Sequence, residues 1–301
     1  MKTVFKEISV INTLRGIAAL VVCLYHFVCT TTDYIESQII LDIFSFGKKG
    51  VQIFFIISGI VIPLSMLKAK YSYKLFSKFI SKRFIRIEPP YIAAVALGII
   101  YAVVRNYIPS SNQIDLIPNF KTVILHLGYL IPFFENTNWI SPVFWTLSIE
   151  FQYYLILALL IPMIISDKKV LKWIFTLIIL ALPLFSSQQA FFLYWSAYFG
   201  LGIFYILYKY EKYSLYEFIV IMILCSTIVF FNQGLIDLII GIGTLLVINY
   251  FPSFKSKIGN FLGKISYSLY LIHAIIGSAI INYLSHIYKT PLSKLVVILI
   301  G

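Results

Sequence analysis

Charged side chains are scarce in this 301-residue chain, where Asp, Glu, Lys and Arg together make up 12% of the residues. A soluble domain carries about 25%. Hydrophobic residues reach 60%, more apolar surface than a soluble globule could cover, so the composition excludes a soluble enzyme. A disordered chain is excluded as well, because such chains are poor in aromatic residues and this one has 26 Phe and 22 Tyr. The sequence therefore predicts an all-α polytopic membrane protein.

Cysteine is nearly absent, and no cysteine pair or metal-ligand spacing occurs. Cys23, Cys29 and Cys225 all lie in apolar stretches, which predicts packing residues and no bound metal.

The N-terminal apolar run contains Arg15 and has no clear small-residue cleavage site. We therefore expect a retained first span and not a signal peptide.

Apolar segments of spanning length recur along the whole chain. At about 20 residues per span, the length predicts about ten transmembrane helices. A segment that starts at Pro291 is too short to span and is expected to be a truncated last helix. Segment 121–134 is also short and is expected to be re-entrant or interfacial. The predicted spans are 10–31, 49–67, 89–108, 142–166, 170–186, 189–208, 215–231, 234–251 and 264–285.

The basic residues alternate between predicted loops in a way that fixes an orientation. With the N-terminus in the cytoplasm, 17 of the 24 Lys and Arg residues fall in cytoplasmic segments and six in outer ones. The positive-inside rule expects this asymmetry. The sequence thus predicts a multi-pass protein of the cytoplasmic membrane with a cytoplasmic N-terminus. The net charge of +12 reports this topology, and no nucleic-acid partner is expected.

Segment 68–88 has a distinct pattern. Lys74, Lys78 and Lys82 recur every four residues, and an apolar face is formed by Leu75, Phe76, Phe79 and Ile80. This pattern predicts an amphipathic helix on the cytoplasmic interface between spans two and three. Pro89 and Pro90 are expected to open the third span.

Ionisable residues inside predicted spans are few, and each is costly enough to require a reason. Arg15 and His26 are 11 residues apart, which places them on one stripe of the first helix about 16 Å apart along its axis. We expect both to face one interior cavity, with His26 as a general base. The alternative is a snorkelling Arg and a structural His.

Glu150, Asp237 and His273 complete the set of intramembrane ionisable residues. Glu150 has Tyr154 on its own face, four residues on, and is expected to orient an imidazole, with a neutral, hydrogen-bonded Glu as the alternative. Asp237 is interpreted as interfacial. For His273, a structural role between helices is at least as plausible as a functional one.

Five motifs follow one another along the chain and read LRGIAALVVCLYHF, GVQIFFIISGIVI, KRFIRIEPPY, WTLSIEFQYYL and LGKISYSLYLIH. In order and spacing, from Asn12 to His273, they resemble the acyltransferase-3 family of membrane O-acyltransferases that act on carbohydrates. The sequence departs from the family pattern at Asn12, where an Asp is usual, and at Ala274, where a Pro is frequent.

The resemblance implies one integral-membrane acyltransferase domain over residues 1–301. It implies transfer of an acyl group, usually acetyl, from cytosolic acyl-coenzyme A to a hydroxyl of a surface polysaccharide or lipid-linked glycan, with no permanently bound cofactor. His26, Glu150 and Arg15 are the expected catalytic residues. The resemblance implies that Arg83 and Arg86 bind the donor, whereas their charge alone predicts a patch that sets topology and binds lipid headgroups. The substrate contacts are expected to be Tyr154, Trp145 and His273. A proton-coupled transporter, which would also bury His, Glu and Arg, is the alternative.

Overall fold

The computed structural model describes residues 8–31, 35–107 and 117–301, and this part of the chain is helical, with no β-strand. The all-α class is confirmed. Lys2 and Lys6, which entered the predicted topology, lie outside the described residues. The α-helices are α1 (Val10–Tyr25), α2 (Gln38–Ser45), α3 (Gly50–Lys68), α4 (Phe76–Asn106), α5 (Phe120–Leu127), α6 (Trp145–Ile164), α7 (Lys169–Ala181), α8 (Phe192–Lys209), α9 (Leu215–Gln233), α10 (Leu235–Tyr250), α11 (Lys257–Ile272), α12 (Ser278–Ser285) and α13 (Pro291–Ile300).

Six helical stretches of the described chain are long and apolar enough to cross a membrane. They correspond to six of the predicted spans. The other three predicted spans form helices α7, α8 and α10, but α7 and α10 have only 13 and 16 residues, and Tyr and Trp residues lower the hydropathy of α8. The count of about ten spans is therefore not confirmed. The six stretches are Val10–Thr30, Gln38–Lys68, Tyr73–Asn106, Trp145–Ile164, Leu215–Gln233 and Lys257–Ser285.

Helix α8 lies at the centre of the protein. Almost all of its side chains are buried, and it packs against α3, α7, α9 and α10. Its Tyr residues are accommodated because their hydroxyls find partners: Tyr198 donates to the carbonyl oxygen of Asp237 over 2.8 Å. A helix surrounded by protein needs less hydropathy than one that faces lipid, which explains its moderately polar sequence.

The amphipathic segment and the third span form one continuous helix, which corrects the predicted boundary. Pro89 and Pro90 lie inside α4 and do not begin a new helix. The stretch Tyr73–Asn106 has 34 residues and is about 51 Å long, against a hydrocarbon core of about 30 Å. Its basic first part therefore extends beyond the hydrocarbon.

The two predicted faces of this basic part are confirmed. Lys74, Lys78 and Lys82 are exposed. The opposite face packs against the protein core through Leu75, Phe76, Phe79 and Ile80.

Helices α1 and α11 run parallel and in contact along their length. Asn12 faces Gly263 near one end, and His26 faces His273 near the other. This pairing determines the site, because it aligns the charged first halves of both helices and the histidines that follow them.

Asp237, which is interpreted as interfacial, has its partner inside the protein. Its side chain is buried, and both carboxylate oxygens accept hydrogen bonds from Lys49 Nζ over 2.8 Å. The carboxylate is stable there because the ion pair compensates its burial.

Candidate functional site

A cavity of about 410 Å³ lies between α1, α3, α4, α6 and α11. Its charged end is formed by Asn12, Arg15, Arg86, Glu150 and Lys264. Its other end is apolar and aromatic, with Val51, Phe54, Phe55 and Tyr270. Val51 and Ile62, which both line it, are 11 residues apart on α3, so the cavity is about 16 Å long.

The charged end carries more positive than negative charge. Arg15, Arg86 and Lys264 face a single carboxylate, that of Glu150. Arg15 interacts electrostatically with Arg86, Glu150 and Tyr154. Arg15 is half-buried and Arg86 and Lys264 are exposed, so an anion could reach all three cations from outside the protein. This end is therefore suited to a phosphate or another polyanionic group.

Glu150 is held by its predicted neighbour Tyr154, whose hydroxyl donates a hydrogen bond to Glu150 Oε1.

The guanidinium of Arg83 lies 5.8 Å from the Tyr154 ring centroid and 5.3 Å from that of Phe79, and it donates to Ser65 Oγ over 2.7 Å. Arg83 thus lies behind Tyr154 and does not line the cavity, whereas Arg86 does. The two arginines predicted to act as a pair occupy different environments.

His26 and His273 are in direct contact. His273 Nε2 lies 3.2 Å from His26 Nδ1, and the ring centroids are 5.0 Å apart. Each Nδ1 also contacts the carbonyl oxygen four residues earlier: Val22 at 2.9 Å for His26 and Leu269 at 3.1 Å for His273. The sequence offered no direct signal for this pair, which depends on the register of α1 against α11.

Tyr270 lies between the cavity and the histidine pair. It lines the aromatic end of the cavity, and its ring centroid is 5.8 Å from that of His273. Its hydroxyl is 2.9 Å from Thr146 Oγ1. The expectation that Arg15 and His26 face one cavity is corrected: Arg15 lines it and His26 does not, because 11 residues of helix carry His26 past its aromatic end.

Two further expectations differ from the structure. Within the described chain, Glu150 makes no contact with an imidazole, and its partner is Tyr154. Trp145 does not line the cavity but lies beside Trp195, with 6.2 Å between the ring centroids. Of the predicted site residues, the cavity brings together Arg15, Arg86, Glu150 and Tyr154.

Sequence reasoning missed two polar residues of the cavity. The sequence predicts a role in topology for Lys264 and marks Asn12 as a departure from the family pattern, and both line the cavity. The available signal was the position of Lys264 within the motif LGKISYSLYLIH and that of Asn12 two residues before the motif LRGIAALVVCLYHF.

Three buried ionisable residues of the described chain lie outside the cavity and are not singled out by the sequence: Glu88, His126 and Lys172, the last of which pairs with Glu217 over 2.7 Å. Glu88 is buried and accepts a hydrogen bond from Tyr129 over 2.7 Å. His126 lies outside the six long apolar stretches, and burial lowers its pKa. Its Nδ1 lies 2.8 Å from the Thr122 carbonyl oxygen, and its Nε2 accepts the Ile140 N–H over 3.0 Å. These bonds give His126 a structural role.

The comparisons with known proteins identify the family. No curated protein and no solved structure matches the chain. The model of the acyltransferase-3 family, described as an acyltransferase domain, matches residues 8–301. That range contains both the cavity and the histidine pair. The chain belongs to the acyltransferase-3 family, and its long apolar helices and family membership together indicate a membrane acyltransferase.

Proposed function

We propose that this protein transfers an acyl group, with acetyl as the expected one, from cytosolic acyl-coenzyme A to a hydroxyl of a surface or lipid-linked carbohydrate. It does so in the bacterial cytoplasmic membrane, with its N-terminus in the cytoplasm. The observation that carries the proposal is the cavity, which has cations at one end and an aromatic end beside the histidine pair.

The charged end is suited to the coenzyme A phosphates. Arg15, Arg86 and Lys264 supply donors to phosphate oxygens, and arginine binds them with a planar fork. With the orientation that the basic loops predict, this end faces the cytoplasm, where the donor is found. The donor is a substrate here and not a resident cofactor.

The length of α1 favours donor binding by Arg15 over stabilisation of the developing negative charge. A group that stabilises the oxyanion must lie about 2.7–3.1 Å from it. Arg15 is about 16 Å from His26 along the helix axis, so it cannot contact a carbonyl that reacts beside His26. Arg15 therefore holds the donor, and the pantetheine arm extends along the cavity towards Tyr270.

The chemistry requires one base near the reacting carbonyl. The acceptor hydroxyl attacks the thioester carbon while His26 Nε2 takes its proton. The carbon–sulfur bond then breaks, and the proton passes from His26 to the departing thiolate. The products are the carbohydrate ester and free coenzyme A, and His26 returns to its neutral form.

The test uses the purified protein in lipid nanodiscs with labelled acetyl-coenzyme A and a glycolipid extract as acceptor. We expect thiol release together with label in the glycolipid. His26→Ala should lower turnover at least about 100-fold and leave donor binding near that of the unmodified protein. His286→Ala, which changes an exposed histidine, is the control and should retain activity.

Two results would contradict the proposal. Full turnover in His26→Ala would place the base elsewhere. Movement of a solute across the membrane of proteoliposomes, with no thioester consumed, would favour the transporter. Mass spectrometry of surface glycans from a strain without the protein would identify the acceptor sugar.

A further inference from the structure

His273 is the feature of the site that the proposed reaction leaves without a role. Its side chain is 2% exposed, and it contacts His26 from the neighbouring parallel helix. Burying a second titratable ring against the expected base costs free energy, which suggests that the His273 ring has a structural or functional role there.

The local backbone around both histidines is unusual. The chain forms π-helical turns at His26–Thr30 and His273–Gly277, and each turn begins at the histidine. Such turns are rare and are frequent at functional sites. The two turns pack against each other.

Side chains fasten the two turns together. Thr31 Oγ1 lies 3.0 Å from Ser278 Oγ and donates to the His26 carbonyl oxygen over 2.7 Å. Gly277 lies so close to Phe27 that a Cβ there would overlap the Phe27 ring. The contact between the histidines is therefore built from several residues.

The hydrogen-bond partners assign the protons. A carbonyl oxygen can only accept, so the Val22 and Leu269 carbonyls require a hydrogen on Nδ1 of both rings. The one hydrogen on His26 Nδ1 is then shared between two acceptors, the Val22 carbonyl oxygen at 2.9 Å and the lone pair of His273 Nε2 at 3.2 Å. His26 Nε2 is left with its lone pair available for the acceptor hydroxyl.

We propose that His273 is a positioning residue that fixes the His26 ring and stabilises its imidazolium, the role that the sequence analysis gave to Glu150. The inference rests on the proposed function for its kinetic consequence. When His26 Nε2 takes the hydroxyl proton, the Nδ1–H bond to His273 becomes charge-assisted and stronger. In the described residues no carboxylate contacts either ring, so the acceptors of this hydrogen are the Val22 carbonyl oxygen and the neutral His273 imidazole.

The kinetic test compares His273→Leu with His273→Gln. Leu removes the acceptor, and we expect turnover to fall roughly 10- to 100-fold, as for a lost hydrogen bond to a charged group, with donor KM unchanged. Gln keeps an oxygen that can accept from Nδ1–H, so it should retain clearly more activity than Leu. In a His26→Ala background, His273→Leu should cause no further loss.

The matched control is His126→Gln. His126 is also buried and also bonds the carbonyl oxygen four residues earlier, but it is not in contact with His26. Normalised to folded protein, its turnover should stay near that of the unmodified chain. An equal loss in His126→Gln and His273→Gln would overturn the proposal, as would equal activity of the Leu and Gln variants at His273.

A spectroscopic test is independent of activity. The chain has four histidines, so ¹⁵N-histidine NMR of the whole protein in lipid can be assigned by substitution. We expect hydrogen on Nδ1 of both His26 and His273, and a shift of the His26 Nδ1 signal in His273→Leu. An unshifted signal would overturn the positioning role and leave the acyl transfer itself untouched. Absence of acyl transfer with the expected NMR result would instead contradict only the proposed function.

Discussion

Among the described residues, Glu150 supplies the only carboxylate at the charged end of the cavity, where it lies among cations. Its environment differs from the one the sequence suggested, because its partner is a tyrosine and its charged neighbours are arginines. At this position a carboxylate balances the cations before the donor binds.

Glu150→Gln should therefore strengthen donor binding and lower the thermal stability of the unliganded protein. Removing the negative charge leaves the positive charges of Arg15 and Arg86 less compensated. The electrostatic attraction between these arginines and an incoming polyanion is then stronger. Acetyl-coenzyme A should raise the melting temperature of this variant by more than it raises that of the unmodified protein.

Tyr154→Phe is the control for this change, because it removes the hydrogen bond and keeps the charge. Its donor-induced shift should stay near that of the unmodified protein. A donor-induced shift in Glu150→Gln no larger than in the unmodified protein would show that Glu150 does not compete with the donor.

The two arginines of the basic segment should respond differently to replacement. Arg86 lines the cavity, so Arg86→Lys should raise the donor KM by about tenfold through loss of the bidentate fork. Arg83 contacts Ser65 and the Tyr154 ring, so Arg83→Lys should lower thermal stability with a smaller change in donor KM. Steady-state kinetics with varied acetyl-coenzyme A distinguish the two, and equal KM increases would contradict the assignment.

At the scale of elements, the contact between α1 and α11 determines where the cavity lies and which histidines meet. Gly263 allows this contact, because a Cβ there would overlap the backbone oxygen of Asn12. A larger residue at this position would force α1 and α11 further apart.

Gly263→Ala should destabilise the protein by about 1–3 kcal/mol, as for overpacking, and should also lower turnover because the histidines move apart. Gly243→Ala is the matched control: a Cβ there has no neighbour within 4 Å, so the change should be neutral or stabilising by up to about 1 kcal/mol. Thermal unfolding in detergent measures both. Equal melting temperatures for the two variants would mean that the helices can separate at little cost.

At the scale of the whole molecule, the orientation in the membrane decides which substrate meets which end of the cavity. The basic loops predict that the segment before α4 is cytoplasmic. The charged end of the cavity would then open on the donor side.

A cysteine at Ser72, in a background with Cys23, Cys29 and Cys225 replaced, should resist an impermeant thiol reagent added to intact cells. A cysteine at Lys289, on the predicted outer side, should react. Both positions are exposed, so access is decided by the membrane. The reverse pattern would invert the topology and place the donor site on the wrong side for cytosolic acyl-coenzyme A.

The sequence predicted much of the helical architecture, because long apolar runs are costly in water and must lie in lipid or protein. It placed a helix boundary at Pro89, whereas α4 continues through both prolines, because prolines inside a helix can be tolerated when neighbouring elements hold it. Six of the nine predicted spans fall on helical stretches of spanning length and hydropathy, and the count of about ten is not confirmed. Nothing in the sequence indicated that α8 would be the buried centre, which depends on the packing of its neighbours.

For the site, the sequence by itself determined that Arg15, His26 and Glu150 are ionisable residues within apolar helices and are costly there without partners, while their roles stay predictions. Only the tertiary structure decided their partners. Glu150 contacts Tyr154, and His26 contacts His273, which is 247 residues away in the chain. Helical periodicity predicts which residues share a face of one helix. The register between two helices depends on side-chain packing along their whole interface, and no local pattern in either helix contains it.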